Sequence, residues 1–218
     1  MKFRPCFVFA AALACSPMAE GAVIVTFGIS VPDPMLFPAG GFVDVFVRSS
    51  VGGGELLDGY QVGVTIAPGG GSPGPSGGLI FSTTQAEAEL TNPAYVFFGN
   101  SFDTNNSIPV GTVTGGGTGY IGADITDNLI PVTLPNTNKL LYRLDLSAVS
   151  PGTYTISVNT GVTSFFTNQL DPIGTAIPFS SVPSGMTVVP EPASTAFLLV
   201  TCGGIALRRR VSRRQPTV

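Results

Sequence analysis

LLYRLDL (Leu140–Leu146), Pro151-Gly152 and TYTISV (Thr153–Val158) follow one another within a single stretch of the chain. In the first run Leu140, Tyr142, Leu144 and Leu146 fall on one side, opposite Leu141, Arg143 and Asp145. In the second, Tyr154, Ile156 and Val158 share a side. Side chains that alternate with period two belong to a half-buried β-strand. A Pro-Gly pair between two such runs is a turn, because proline presets φ and glycine accepts the conformations a turn demands. The stretch therefore reads as strand, turn, strand.

The same grammar extends outward. FVDVFVRS (Phe42–Ser49) sets Val43, Val45 and Val47 against Phe42, Asp44, Phe46 and Arg48, and YQVGVTI (Tyr60–Ile66) puts Tyr60, Val62, Val64 and Ile66 on one face. Val23–Gly28, Ala94–Gly99, Ile108–Thr114, Gly119–Thr126, Val162–Phe166 and Met186–Val189 are further strand-like runs rich in β-branched and aromatic residues. Glycine and proline separate them: the loop from Gly69 to Gly78 and the triplet Gly115-Gly116-Gly117 cannot hold a strand or helix. Thr84–Leu90 alone has helix-forming composition, enough for about two turns. The expected fold is all-β, an antiparallel β-sandwich or jelly roll of about 8–10 strands, occupying residues 23–187.

Composition narrows the chemistry. The chain has 218 residues with no histidine and no tryptophan, and its three cysteines are Cys6, Cys15 and Cys202, all outside the sandwich. Without histidine the usual Ser-His-Asp and Cys-His devices cannot be built, and the common zinc and copper sites are excluded with them. The glycine runs lack the lysine and helix of a phosphate loop. Between Asp33 and Asp171 eleven acids face three bases, Arg48, Lys139 and Arg143. So acidic a domain does not track a phosphate backbone, which excludes nucleic acid as partner. An enzyme would have to work with carboxylates, as glycosidases do, so the chain is expected not to be an enzyme and to need no cofactor.

The two ends follow other rules. Residues 1–22 run from Lys2 and Arg4 through the apolar Phe7–Ala14 to the small residues Ala19 and Ala22, the order of a cleaved secretory signal helix. Residues 188–218 hold Pro190-Glu191-Pro192, the apolar run 193–207, and a basic end at 208–214 with Arg208, Arg209, Arg210, Arg213 and Arg214. As a helix the apolar run covers about 23 Å, short of the roughly 30 Å hydrocarbon core. Gly203 and Gly204 weaken it further. The arginines behind it form a cytoplasmic stop. A thin transmembrane helix with a cationic inner end suits a temporary anchor. The flanking prolines hold Glu191 extended just outside the lipid.

This tripartite tail resembles the PEP-CTERM sorting domain. The resemblance implies that Pro190, Glu191 and Pro192 are the motif read by an exosortase-like membrane transpeptidase. It also implies export through the Sec translocon and signal peptidase, transient inner-membrane anchoring, and final residence in the cell envelope, at the surface or outside the cell. Association with exopolysaccharide or a biofilm matrix is often implied as well. In the sandwich, Ala39-Gly40-Gly41-Phe42-Val43-Asp44-Val45, Leu57-Asp58-Gly59-Tyr60-Gln61-Val62 and the segment Lys139–Val158 resemble cohesin-like and other immunoglobulin-like surface sandwiches, a likeness of fold and not of ligand.

The expected function is therefore that of an exported envelope or matrix protein, sorted by its tail and carrying a non-catalytic structural or adhesive sandwich. Two alternatives stand beside it: a polysaccharide- or calcium-binding surface module, and a secreted carboxylate-dependent glycoside hydrolase. Asp103, Asp124 and Asp127 are the candidate calcium ligands, since they bring oxygen donors onto loops, although Asp and Asn are also ordinary turn residues. A sugar site would want an aromatic platform, and Tyr95 and Tyr120 lie outside the inward faces assigned above. The sorting reading has a direct test: mass spectrometry of the mature C-terminus should find the residues beyond Pro192 removed in wild type and retained in Glu191→Ala.

Overall fold

A computed structural model describes residues 22–29, 35–37, 40–74, 78–85, 91–106, 110–173 and 175–190, and among these described residues lie thirteen strands, a short α-helix and the 3-10 turn Gly115–Gly117. The strands are β1 (Val23–Ile29), β2 (Met35–Phe37), β3 (Gly40–Ser49), β4 (Glu55–Leu57), β5 (Gly59–Pro68), β6 (Leu79–Phe81), β7 (Gly111–Thr114), β8 (Gly119–Ile125), β9 (Val132–Leu134), β10 (Lys139–Ala148), β11 (Gly152–Phe166), β12 (Phe179–Ser181) and β13 (Ser184–Pro190); α1 is Phe102–Asn106. They form a five-stranded sheet ordered β12-β1-β3-β10-β6, a six-stranded sheet ordered β2-β13-β11-β5-β8-β7, and the small pair β4-β9. The expected sandwich is present. Pairing is antiparallel except at two margins, where β1 runs parallel to β12 and β13 parallel to β2.

Alternation places the core as the sequence implies. Val43, Val45 and Val47 from the five-stranded sheet are fully buried, as are Val62, Val64 and Ile156 from the six-stranded one. Each such side chain is worth about 1.5–3 kcal/mol when taken out of water. Tyr60 stacks on Phe97 with ring centroids 5.7 Å apart, and Tyr120 and Tyr142 meet at 5.0 Å.

Three local readings change. Leu141, assigned outward, is fully buried beside Leu140 and Tyr142, because a register shift between Leu140 and Tyr142 inserts an extra residue into β10 and a bulge re-aims the side chains around it. Ala94–Gly99 is not a strand. It is a run of turns that touches the sheet at the single bridge Tyr95–Leu140, and its apolar residues Tyr95, Val96 and Phe97 pack inward from there. Val162–Phe166 is no separate strand but the far half of β11, across an irregularity between Asn159 and Ser164. Thr163 repairs that break, accepting the Gly63 amide at 3.1 Å and donating to the Asn159 carbonyl at 2.8 Å. Glycine is required at 63, since a Cβ there would meet Val162 at 2.3 Å.

The end of the chain also moves. β13 continues through Pro190, and Val188, expected in the tail, is in the core at 2% exposure. The sandwich therefore runs up to the motif with no spacer. Residues 1–21, the 86–90 part of the helix-like segment, residues 107–109 and everything from Glu191 onward lie outside the described residues. Among the described residues no helix is long and apolar enough to cross a membrane. Because β11 begins at Gly152, opposite Val188, and ends at Phe166, opposite Gly59, Pro190 leaves at one end of the sandwich while the turns after β8 and β11 crowd the other.

Ile156 is at the centre of the larger sheet, and Ile156→Ala should cost about 2–5 kcal/mol, read as a lower urea midpoint with unchanged slope.

Candidate functional site

Charge is distributed unequally over the two outer faces. Arg48, Asp44, Lys139, Arg143 and Asp145 all belong to β3 and β10 of the five-stranded sheet. Asp44 and Arg143 are directly opposed across the strands and form a two-pronged ion pair, 2.7 Å from Nε to Oδ1 and 2.9 Å from Nη2 to Oδ2. The guanidinium also lies 3.7 Å over the Phe42 ring, a favourable seat for a cation.

The six-stranded sheet is different. Its strands carry one charged residue among those described, Asp124, and that one is buried at 2% exposure. Its outward positions are neutral, a mixture of small or polar residues with Ile121, Ile125 and Phe166. In cross-strand order they run Ser157-Thr65-Gly119, then Asn159-Gly63-Ile121-Thr112, then Gln61-Ala123, with Thr153 beside Thr187 at the near edge. Thr65 and Ser157 are hydrogen-bonded hydroxyl to hydroxyl at 3.3 Å. The local cause is that Thr and Val favour a pleated surface and that alternation sends most of the large apolar residues inward, while Gly59 and Gly63 make room for Phe166, Ile125 and Val162 on the outer side. Such a face is cheap to desolvate, since no ion has to be stripped of water.

The candidate calcium ligands lie at the crowded end. Asp124 ends β8 and its carboxylate is occupied by the protein itself: Tyr95 Oη and Ser101 Oγ donate to Oδ2, and the amides of Asp103 and Ile125 to Oδ1 at 3.2 and 2.8 Å. Asp103 sits in the first turn of α1. Asp127 is exposed and accepts from Asn105 Nδ2 at 2.8 Å. Among the described residues no group of three or more His, Cys, Asp or Glu is arranged to hold a metal. The structure brings Asp103 and Asp124 together through a backbone amide and leaves Asp127 on the adjoining turn. Pro190 ends β13; Glu191, Pro192 and the five tail arginines lie outside the described residues.

All five tyrosines are buried, Tyr95 and Tyr120 included, at 1% and 3% exposure. None offers a ring to a sugar. Alternation could not place Tyr95, because it reaches the core from a turn and not from a strand. Its hydroxyl bridges Tyr60 Oη at 3.3 Å and Asp124. Burial pushes the Tyr60 hydroxyl well above its usual range, with Tyr95 and Asp124 adding to it. Burial and then Asp124 do the same to Tyr95, and burial and then Tyr120 to Tyr142.

No protein-family model and no curated protein matches the sequence. Solved structures do match in fold. The seventh ScaB type I cohesin from Pseudobacteroides cellulosolvens superposes with a TM-score of 0.50 at 10% identity, over 79% of this chain and 96% of that one. The cohesin module of the family 33 glycoside hydrolase of Clostridium perfringens gives 0.46 at 10% identity, over 79% and 98%. The first of these establishes a cohesin-like sandwich as the fold.

The tyrosines give a pH test. In the unfolded chain they ionise near pH 10; in the folded one they stay neutral well beyond it. Their contribution is therefore complete below about pH 10 and lost as pH rises past it. Ultraviolet titration should show Tyr60, Tyr95 and Tyr142 ionising together with alkaline unfolding, and Tyr95→Phe should remove one of the late-ionising groups.

Proposed function

We infer that this chain is an exported cell-envelope or matrix protein whose sandwich acts by surface contact and not by catalysis, and whose tail directs its sorting. The observation that carries the contact reading is the neutral outer face of the six-stranded sheet. It is built of Thr, Ser, Asn, Gln, Gly and Ala together with Ile121, Ile125, Val162 and Phe166, and no charged side chain of the described strands lies on it. An uncharged face on a six-stranded sheet suits docking against a protein or polymer surface. The cohesin-like fold supports the same reading at the level of architecture.

Catalysis by carboxylates has little support from the geometry. Asp44, Asp58 and Asp124 are the buried acids among the described residues, and each takes its hydrogen bonds from the protein's own donors. The sorting reading rests on the residues from Pro190 to Arg214. It gains from the position of Pro190, which ends the last strand at the end of the sandwich away from the crowded turns. An exosortase-like transpeptidase would then meet Glu191 immediately beyond a folded edge, and exopolysaccharide or another matrix component would meet the open sheet.

The contact face is tested by charge. Thr155→Arg and Thr65→Arg, both outward on that sheet, should reduce retention of the mature protein in the envelope or matrix fraction several-fold. Ser147→Arg, on the opposite sheet, should leave retention unchanged. Equal retention of all three would remove the face from the reading, and recovery of wild type in the cytoplasm with its tail intact would remove export.

A further inference from the structure

Asp58, Thr126 and Gln169 come from three separate segments and meet at the crowded end of the sandwich. Asp58 joins β4 to β5, Thr126 follows β8, and Gln169 lies in the turn after β11. Backbone bonds hold the segments in place: the Asp58 amide donates to the Phe166 carbonyl and the Thr126 amide to the Asp58 carbonyl, each at 2.9 Å. Asp58 and Thr126 are 2% and 1% exposed, and Gln169 is half-buried.

The side chains form a reactive order. Thr126 Oγ1 donates to Asp58 Oδ1. The Gln169 amide fixes the other carboxylate oxygen, donating to Oδ2 at 2.7 Å. Gln169 Nε2 lies 3.4 Å from the same Oδ1 that accepts the threonine proton. It is 3.1 Å from the Thr126 carbonyl oxygen and 3.5 Å from Thr126 Oγ1. A hydroxyl, a carboxylate that can take its proton, and a carboxamide one bond from the hydroxyl's reach are thus held together away from bulk water. Those are the components of nucleophilic acyl transfer, with proximity supplied by the fold.

We propose that Thr126 and Gln169 become joined by an intramolecular ester, formed by the folded chain itself with Asp58 as proton carrier. Thr126 Oγ1 gives its proton to the Asp58 carboxylate and attacks Gln169 Cδ, and the C=O electron pair moves onto Oε1. When the tetrahedral centre collapses, the Cδ–Nε2 bond breaks. Asp58 returns the proton to Nε2, and ammonia leaves. Thr–OH and Gln–CONH2 become Thr–O–CO–Gln and NH3, with no change of oxidation state and no co-reactant. Burial then shields the ester from water. The link fastens the turn that precedes β12 and β13 to the end of β8, so pulling on the chain at Pro190 would be borne by a covalent bond. Hydrogen bonding alone would hold the same turn without loss of ammonia, which makes the two arrangements distinguishable by mass.

The test uses the full chain, purified folded as judged by circular dichroism, and digested with trypsin. Cutting after Arg48, Lys139, Arg143 and Arg208 leaves Thr126 and Gln169 on separate peptides. Wild type should yield one linked species lighter than the two peptides together by one ammonia, with fragmentation locating the join at Thr126 and Gln169. Hydroxylamine should separate it. Thr126→Ser should keep the link; Thr126→Val, Asp58→Asn and Gln169→Ala should lose it. Folded wild type giving two free peptides of full mass would overturn the proposal without reference to any variant. A linked species that persists in Asp58→Asn would overturn the role given to Asp58.

Discussion

Everything in this molecule rests on two sheets closing over one another through alternate residues of β3, β5, β10 and β11. The chain has no metal-binding histidine, and its cysteines lie outside the sandwich, so stability has to come from apolar burial and backbone pairing. Val43, Val45, Val47, Val62, Val64, Leu144 and Ile156 supply the aliphatic layer. Tyr60, Tyr95, Tyr120 and Tyr142 fill the wider space at its side, the hydroxyls of Tyr60 and Tyr142 spent on carbonyls and that of Tyr95 on Asp124. Large rings in the core need such partners, because an unbonded buried hydroxyl is costly.

The same closure explains where the charges are. With so few ionisable groups, each buried acid is part of the architecture. Asp44 pairs with Arg143 across neighbouring strands, Asp124 caps the polar end of the tyrosine group, and Asp58 ties three segments together. Breaking any of them would leave a buried carboxylate short of partners, which costs more than the original bond contributed. Meanwhile the larger sheet keeps its outer face neutral. One side of the sandwich is thus electrostatically busy and the other is free to press against a neighbour without shedding bound water from ions.

The direction of the chain gives this asymmetry its meaning. β13 delivers Pro190 to one end of the sandwich with no spacer before Glu191, while the Asp58, Thr126 and Gln169 cluster secures the other end. Load applied at Pro190 would be carried along that strand. Parallel pairing of β13 with β2 over Val188, Val189 and Pro190, and its antiparallel pairing with β11, anchor it by backbone bonds that must break together.

By itself the sequence determined the all-β class, most of the inward residues of the long strands and the absence of histidine and of sandwich cysteines. Period two, turn residues and composition are local facts, and local facts can be read from the order of residues. FVDVFVRS and YQVGVTI needed nothing more. Tertiary structure alone decided the rest. It turned Leu141 inward through a bulge, made turns of Ala94–Gly99, and added short strands such as β4, β6, β9 and β12, which exist because a neighbour supplies their partners. It also assembled Asp58, Thr126 and Gln169, far apart in the chain and individually ordinary. No spacing rule marks such a group, because its members become neighbours when β5, β8 and β11 pair, and that pairing is set by how the whole surface closes.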